Sequence, residues 1–173
     1  MELDEVIKKR RCIRKFQDKP VSDRDIKKII GAGTLAPSEG NVQSWKFIVV
    51  KNKEIKSRLD EARFSSHNRF KEVPAVIIVC IDKKLAASEY GERGLELYSK
   101  QSTAAATENM FLKATDLDLG ACWIGAFDEE KVKEIVGIKD NLRPVVLFPI
   151  GYPAEKGKDW GRKSIDEVTK FIE

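Results

Sequence analysis

Pro74-Ala75-Val76-Ile77-Ile78-Val79-Cys80-Ile81 decides the fold. Seven consecutive apolar residues behind a proline are far short of the ~20 that a membrane-spanning helix needs. A strand with one wet face would alternate apolar and polar side chains; an unbroken run instead describes a strand covered on both faces. Ala75–Ile81 therefore predicts the centre of a sheet with helices on either side.

Upstream, the β-branched and aromatic stretch Trp45 to Val50 predicts a second strand, with an amphipathic helix from about Lys53 to Phe64 between the two. Ser22-Asp23-Arg24-Asp25 has the form of a capping box, and Ile26, Ile29 and Ile30 share one face behind it. A helix from about Asp23 to Leu35 follows, and Pro37 stops it. Leu3, Val6 and Ile7 mark a shorter helix running to Arg10. Downstream, Leu95 to Leu117 is almost free of helix breakers, and its small residues Ala104, Ala105, Ala106 and Ala114 permit close packing. Ala121 to Ile124 and Val145 to Ile150 read as strands, with Asp128 capping a helix through about Val136. Alternating strands and helices give an α+β fold. Ala154 to Glu173, polar and loosened by Gly157, Lys158 and Gly161, reads as an arm leaving the core.

The 173 residues, 42% hydrophobic and 35% charged, suit one domain spanning 1–173, which buries roughly 70% of its unfolded surface. Thirty-two basic against 28 acidic residues leave a net charge of +4, too mild to argue for nucleic acid on its own. Cys12, Cys80 and Cys122 are widely spaced and odd in number, fitting neither a disulfide framework nor a zinc cluster. With no signal peptide and no membrane-spanning run, the expectation is a soluble cytoplasmic protein. The single histidine, His67, rules out a multi-histidine metal site, so no metal is expected. It also moves the chemistry toward an organic cofactor.

Gly31-Ala32-Gly33-Thr34-Leu35-Ala36 matches the dinucleotide fingerprint G-x-G-x-x-A. That motif must follow a strand and open a helix, whereas here it ends one; the glycines read as loosening a helix end. Arg10-Arg11-Cys12-Ile13-Arg14 sets three guanidinium groups where a helix ends. Such forks match phosphate, although a solvated basic face would look the same. The loop Ala36-Pro37-Ser38-Glu39-Gly40-Asn41-Val42-Gln43-Ser44 offers amide donors and acceptors just before a strand. Those groups suit the pyrimidine edge of a flavin, or simply turn the chain. In Cys122-Trp123-Ile124-Gly125-Ala126, small residues leave backbone amides open to a ligand, or make a tight strand-to-helix turn. Gly161-Arg162-Lys163 is a late basic pair, and Phe64 to Phe70, with His67, Asn68 and Arg69, is a candidate rim or an ordinary surface loop.

In this order, the segments resemble the nitroreductase family, with its R-R-S-x-R start, A-P-S-x-x-N-x-Q-P-W loop, W-I-G turn and late basic pair. The resemblance covers nearly the whole chain. It implies a nitroreductase-like fold with a mixed, mostly antiparallel central sheet flanked by helices, in an intertwined homodimer with FMN at the interface and residues 154–173 docking on the partner subunit. Arg10, Arg11, Cys12 and Arg14 would then hold the phosphate and pyrimidine side, completed by Arg162 and Lys163. Pro37, Ser38, Asn41 and Gln43 would approach the ring from the other chain. Gly125 would offer its amide to flavin N5, with Ile124 and Ala126 lining that edge. The implied activity is two-electron transfer from NADH or NADPH to a small organic acceptor, a nitroaromatic, quinone or flavin, by a ping-pong mechanism. Dehalogenation or flavin fragmentation on the same fold, and a non-enzymatic basic module binding anions or nucleic acid, are the alternatives. Two positions depart from the pattern: Cys12 stands where the family commonly has Ser, and Ser44 where it commonly has Pro.

Overall fold

The computed structural model describes residues 1–64 and 70–173. Helices α1 (Leu3–Lys9) and α2 (Asp23–Thr34) precede strand β1 (Trp45–Val50), helix α3 (Lys53–Glu61) and strand β2 (Ala75–Asp82). Short helices α4 (Lys83–Ala87) and α5 (Gly91–Arg93) lead through a π turn at Gly94–Tyr98 into α6 (Ser99–Asp116). Strand β3 (Gly120–Ala121), helix α7 (Glu129–Val136), strand β4 (Leu142–Gly151) and a last turn of helix α8 (Ile165–Val168) complete the chain. The strands pair in the order β1-β2-β4-β3, all antiparallel. Among the described residues the parallel component of the sheet is a single bridge between Cys12 and Ala121.

β2 is central, and Ala75 through Ile81 are buried. Successive side chains point to opposite faces. Ala75, Ile77 and Val79 meet Ile26 and Ile29 of α2 and Met110, Phe111 and Ala114 of α6. Val76, Ile78 and Cys80 meet Leu59 of α3 and Val132 and Ile135 of α7. One apolar run thus serves two cores, which is why it cannot alternate. Between Val79 and Cys80 the register against β4 slips by one residue, leaving Val145 as the extra residue beside Pro144; a proline has no N–H to give the ladder, so a bulge there costs little.

Ser22 caps α2 by accepting from the Asp25 amide at 3.1 Å, and Asn52 and Asp128 do the same for α3 and α7. Gly33 does more than loosen a helix end. A Cβ there would fall 2.8 Å from Met110 Cγ and 3.3 Å from the Ala106 carbonyl, so the missing side chain lets α2 lie close on α6. α6 buries Thr103, Thr107 and Thr115, whose hydroxyls donate back to the carbonyls of Ser99, Thr103 and Phe111; this satisfies polar groups that burial would otherwise penalise. Among the described residues no helix is long and apolar enough to cross a membrane.

Candidate functional site

The basic segment leaves α1 and runs along the sheet edge. Ile13 donates its amide to Ala121 O at 2.8 Å, setting Cys12 beside the Cys122–Ala126 turn. Arg10 lies over the Phe111 ring, 4.8 Å from its centroid, with Nε 3.5 Å from Glu108 of α6. Arg11 donates to Asp159 at 2.6 Å. The Arg14 guanidinium makes no ion pair among the described residues, although the Arg14 amide donates to Glu155 at 2.7 Å.

The start of the carboxyl-terminal arm shares this place. Ala154 donates to Lys15 O at 2.9 Å, and the Glu155 carboxylate takes the amides of Arg14 and Lys15. Gly157 presses so closely on the segment that a Cβ would lie 2.3 Å from that of Arg11. The arm is therefore anchored to its own chain as far as Asp159. Beyond that point Arg162 and Lys163 are exposed, within a few residues of the Arg11–Asp159 pair.

In the turn, Ile124 bridges to Leu147 of β4, exchanging bonds of 3.1 and 2.9 Å. This holds the chain rigidly up to the next residue. Gly125 and Ala126 are exposed, and nothing lies within 4 Å of where a Gly125 side chain would stand. Among the described residues the Gly125 amide donates to no acceptor. An amide without an acceptor among the described residues, on an exposed glycine that directly follows the Ile124 bridge, is a ready donor for a planar acceptor edge. The strand expected over Ala121–Ile124 is broken into β3 and this isolated bridge.

The loop before β1 forms a separate cluster. Backbone angle φ is positive at Gly40, Asn41 and Gln43 (46°, 58° and 55°), a region costly for Gln in particular. Glu39 holds the loop in that shape. Its carboxylate accepts from Ser44 Oγ at 3.0 Å and from Ser102 Oγ of α6, while Gln43 N donates to Ser38 Oγ at 3.0 Å. Gln43 Nε2 also donates to Asn41 Oδ1 at 3.1 Å, leaving the Asn41 amide donors and the Gln43 carbonyl facing outward. Ser44 is fully buried, so at this departure from the family pattern a hydroxyl to Glu39 stands in place of a proline ring. A cavity of about 540 Å³ opens between this loop and the start of α6, lined by Pro37, Ser38, Tyr90, Tyr98 and Gln101.

Within one chain the structure brings together Arg10, Arg11, Cys12 and Arg14, the root of the arm, and the turn at Ile124, Gly125 and Ala126. No hydrogen bond or ion pair among the described residues links Pro37, Ser38, Asn41 or Gln43 to that group. His67, Asn68 and Arg69 of the candidate rim lie outside the described residues. Glu39, Glu155, Gly157 and Asp159 were missed by sequence reasoning. Glu39 stood inside the singled-out loop, where a carboxylate next to a left-handed glycine was the available signal; the other three act through contacts remote in sequence.

The chain belongs to the nitroreductase family, whose model matches residues 7–67 and 60–152. A relative from Archaeoglobus fulgidus, provisionally named NADH dehydrogenase/NAD(P)H nitroreductase, is 37% identical over 151 residues, which is 85% of this chain and 83% of that protein. A nitroreductase family protein from Streptococcus pneumoniae superposes with a TM-score of 0.91 at 28% identity, covering 99% of this chain and all of that one. A provisionally named nitroreductase from Desulfovibrio desulfuricans, solved in complex with FMN, superposes with a TM-score of 0.87 at 26% identity, covering 100% of this chain and 98% of that one.

Proposed function

We propose that this protein is a cytoplasmic, FMN-dependent oxidoreductase that passes two electrons from NADH or NADPH to a small organic acceptor, a nitroaromatic, quinone or flavin, in a ping-pong cycle. FMN, when bound, supplies the hydride-accepting centre. The observation that carries the reading is the meeting, across the Cys12–Ala121 bridge, of a guanidinium cluster with a rigid turn bearing an open amide.

The residues present fit that group. Arg14, which pairs with no carboxylate among the described residues, would take a phosphate, with Arg10 and Arg11 adding positive charge and Arg162 and Lys163 reaching in from the arm; Arg forks pair with phosphate oxygens two at a time. The Gly125 amide would donate at flavin N5, with Ile124 and Ala126 lining that edge. Positive charge and a fixed donor together favour a negatively charged reduced ring. No side-chain acid is then required, which suits a chain with one histidine.

The ring contacts from Pro37, Ser38, Asn41 and Gln43 belong in this reading to a second copy of the chain, because among the described residues no hydrogen bond or ion pair joins their loop to the arginine segment of its own chain. The working unit is then a homodimer of single-domain subunits, in which the exposed remainder of the arm, residues 160–173, docks on the partner.

The test is an absorbance spectrum of the purified protein, followed by NADH or NADPH addition without oxygen. Flavin bands that bleach on addition are the expected result. A protein that shows no flavin bands, even after incubation with FMN and removal of the excess, would sink the proposal.

A further inference from the structure

Both terminal nitrogens of the Arg11 guanidinium are committed to their own chain. Nη1 donates to the carbonyls of Lys8 at 2.5 Å and Arg10 at 2.9 Å, where α1 ends, and Nη2 donates to Asp159 of the arm at 2.6 Å. The segment runs extended here, so successive side chains alternate. Arg11 and Ile13 line a cleft together with Gly157 of the arm, while Cys12 and Arg14 turn to the other side, where the charge of Arg14 acts on the Cys12 thiol. We infer, resting on the flavin reading of the site, that Arg11 is a positioning residue, which makes no contact with the FMN phosphate itself but acts through Asp159 to set Arg162 and Lys163 there.

The contacts run in series from the arginine segment to the late basic pair. A Cβ on Gly157 would lie 2.3 Å from that of Arg11 and 3.0 Å from the Cys12 carbonyl, so the bare glycine lets the arm lie directly on the segment just before Asp159. Asp159 takes Arg11 on Oδ2 and the Gly161 amide, at 2.9 Å, on Oδ1. These donors, the Gly161 amide first and Arg11 next, hold its carboxyl below the usual carboxylate range, which keeps the link charged at neutral pH. An aspartate that accepts from the amide two residues on makes a tight turn, and Gly161, with φ at 70°, meets the left-handed backbone of that turn without steric cost. Arg162 follows at once. Its guanidinium folds onto the Gly161 carbonyl at 2.5 Å, a neutral acceptor that the charged oxygens of a phosphate would outcompete. An Arg11 that turned to the phosphate would break the Asp159 link and release Arg162 and Lys163 from the segment. An Arg11 that keeps Asp159 holds two further cations within reach and leaves the phosphate to Arg14.

The test reads flavin binding rather than turnover. The full-length protein, freed of flavin, is titrated with FMN and with riboflavin, which carries the same ring and no phosphate, and the change in flavin fluorescence gives each dissociation constant. Asp159→Asn keeps an oxygen for the Gly161 amide and loses the charge that holds Arg11. It should weaken FMN by about three- to fivefold, the scale of an exposed ion pair, and leave riboflavin unchanged. In a chain that already carries Arg162→Ala and Lys163→Ala, the same change should have no further effect. The sign separates the two arrangements: were Arg11 a phosphate contact masked by Asp159, removing that carboxylate would tighten FMN. Arg11→Lys, which keeps the charge and loses the fork, should match Asp159→Asn; if that variant does not fold, riboflavin binding is lost along with FMN binding and Asp159→Asn decides alone. FMN held as tightly or more tightly by Asp159→Asn, riboflavin weakened in step with FMN, or an effect of Asp159→Asn that survives without the basic pair would each overturn the inference. An unaltered chain that binds neither flavin would instead sink the functional reading, and the inference with it.

Discussion

At Cys12 the fold weakens the grip on a proton. The hydrogen bond from Cys122, then that from the Trp123 backbone, then the charges of Arg14 and Arg10 lower its pKa from 9.0 to about 6. A depressed thiol pKa contributes stability that is fully present above the ordinary value near 9 and is lost as pH falls through about 6. The same shift governs reactivity. In native protein, iodoacetamide should label Cys12 at a rate that rises through pH of about 6 and then levels, while Cys80 stays unlabelled; a rate still climbing toward 9 would show that Cys122, the Trp123 backbone and the arginines together do not hold the thiol down. At this scale the sequence shows residue types but not neighbours. Cys12 was visible inside its arginine cluster, and Ser44 as a departure from a proline. That Cys122 faces the first, and that Glu39 and Ser102 hold the second, depends on chain crossings that no local pattern records.

Among the elements, β2 was legible almost to the residue because burial on both faces leaves so few alternatives to a strand, and β1 because β-branched and aromatic residues fill it. Capped helices were nearly as clear: Ser22 and Asp128 stand where α2 and α7 begin. The misjudged boundaries share a cause. The helix expected to reach Phe64 ends at Glu61 because Arg63 bridges to Phe127 and Phe64 donates its amide to Ala126, a tertiary claim on backbone groups that propensity does not see. The long helix expected from Leu95 is regular only from Ser99, its first turn widening into the π form where Gly94 meets the Ala86 carbonyl. The two-core role of β2 is open to test. Ile78 is completely buried between α3 and α7, so Ile78→Ala should cost about 3 kcal/mol in urea unfolding; a loss below about 1 kcal/mol, the scale of Ile→Val trimming, would mean that this layer is not a packed core.

In the molecule as a whole, the unbalanced surface is the arm. Trp160, Ile165, Val168, Phe171 and Ile172 are all more than two-thirds exposed, an apolar content that a lone subunit has no reason to present to water. Truncation after Asp159 should leave the core cooperative in thermal unfolding while turning the proposed homodimer into a monomer in light scattering. An intact dimer after truncation would place the interface elsewhere. Sequence composition marked this segment as an arm but could not show where it becomes independent of its own subunit, because the anchoring residues Glu155, Gly157 and Asp159 look like any polar tail.

That anchoring point sets a length. With the clip at Arg11–Asp159 closed, only residues 160–173 can travel, and extended chain of that length reaches about 45 Å. A body of this size is about 40 Å across, so the tether can cross the whole face of a neighbour and no more. The clip is an exposed ion pair, and high salt screens such pairs. Salt would therefore free Lys158 and Asp159 as well, up to the packed Gly157, lengthening the tether by about 7 Å and slightly lowering the effective concentration at which each arm meets the proposed partner.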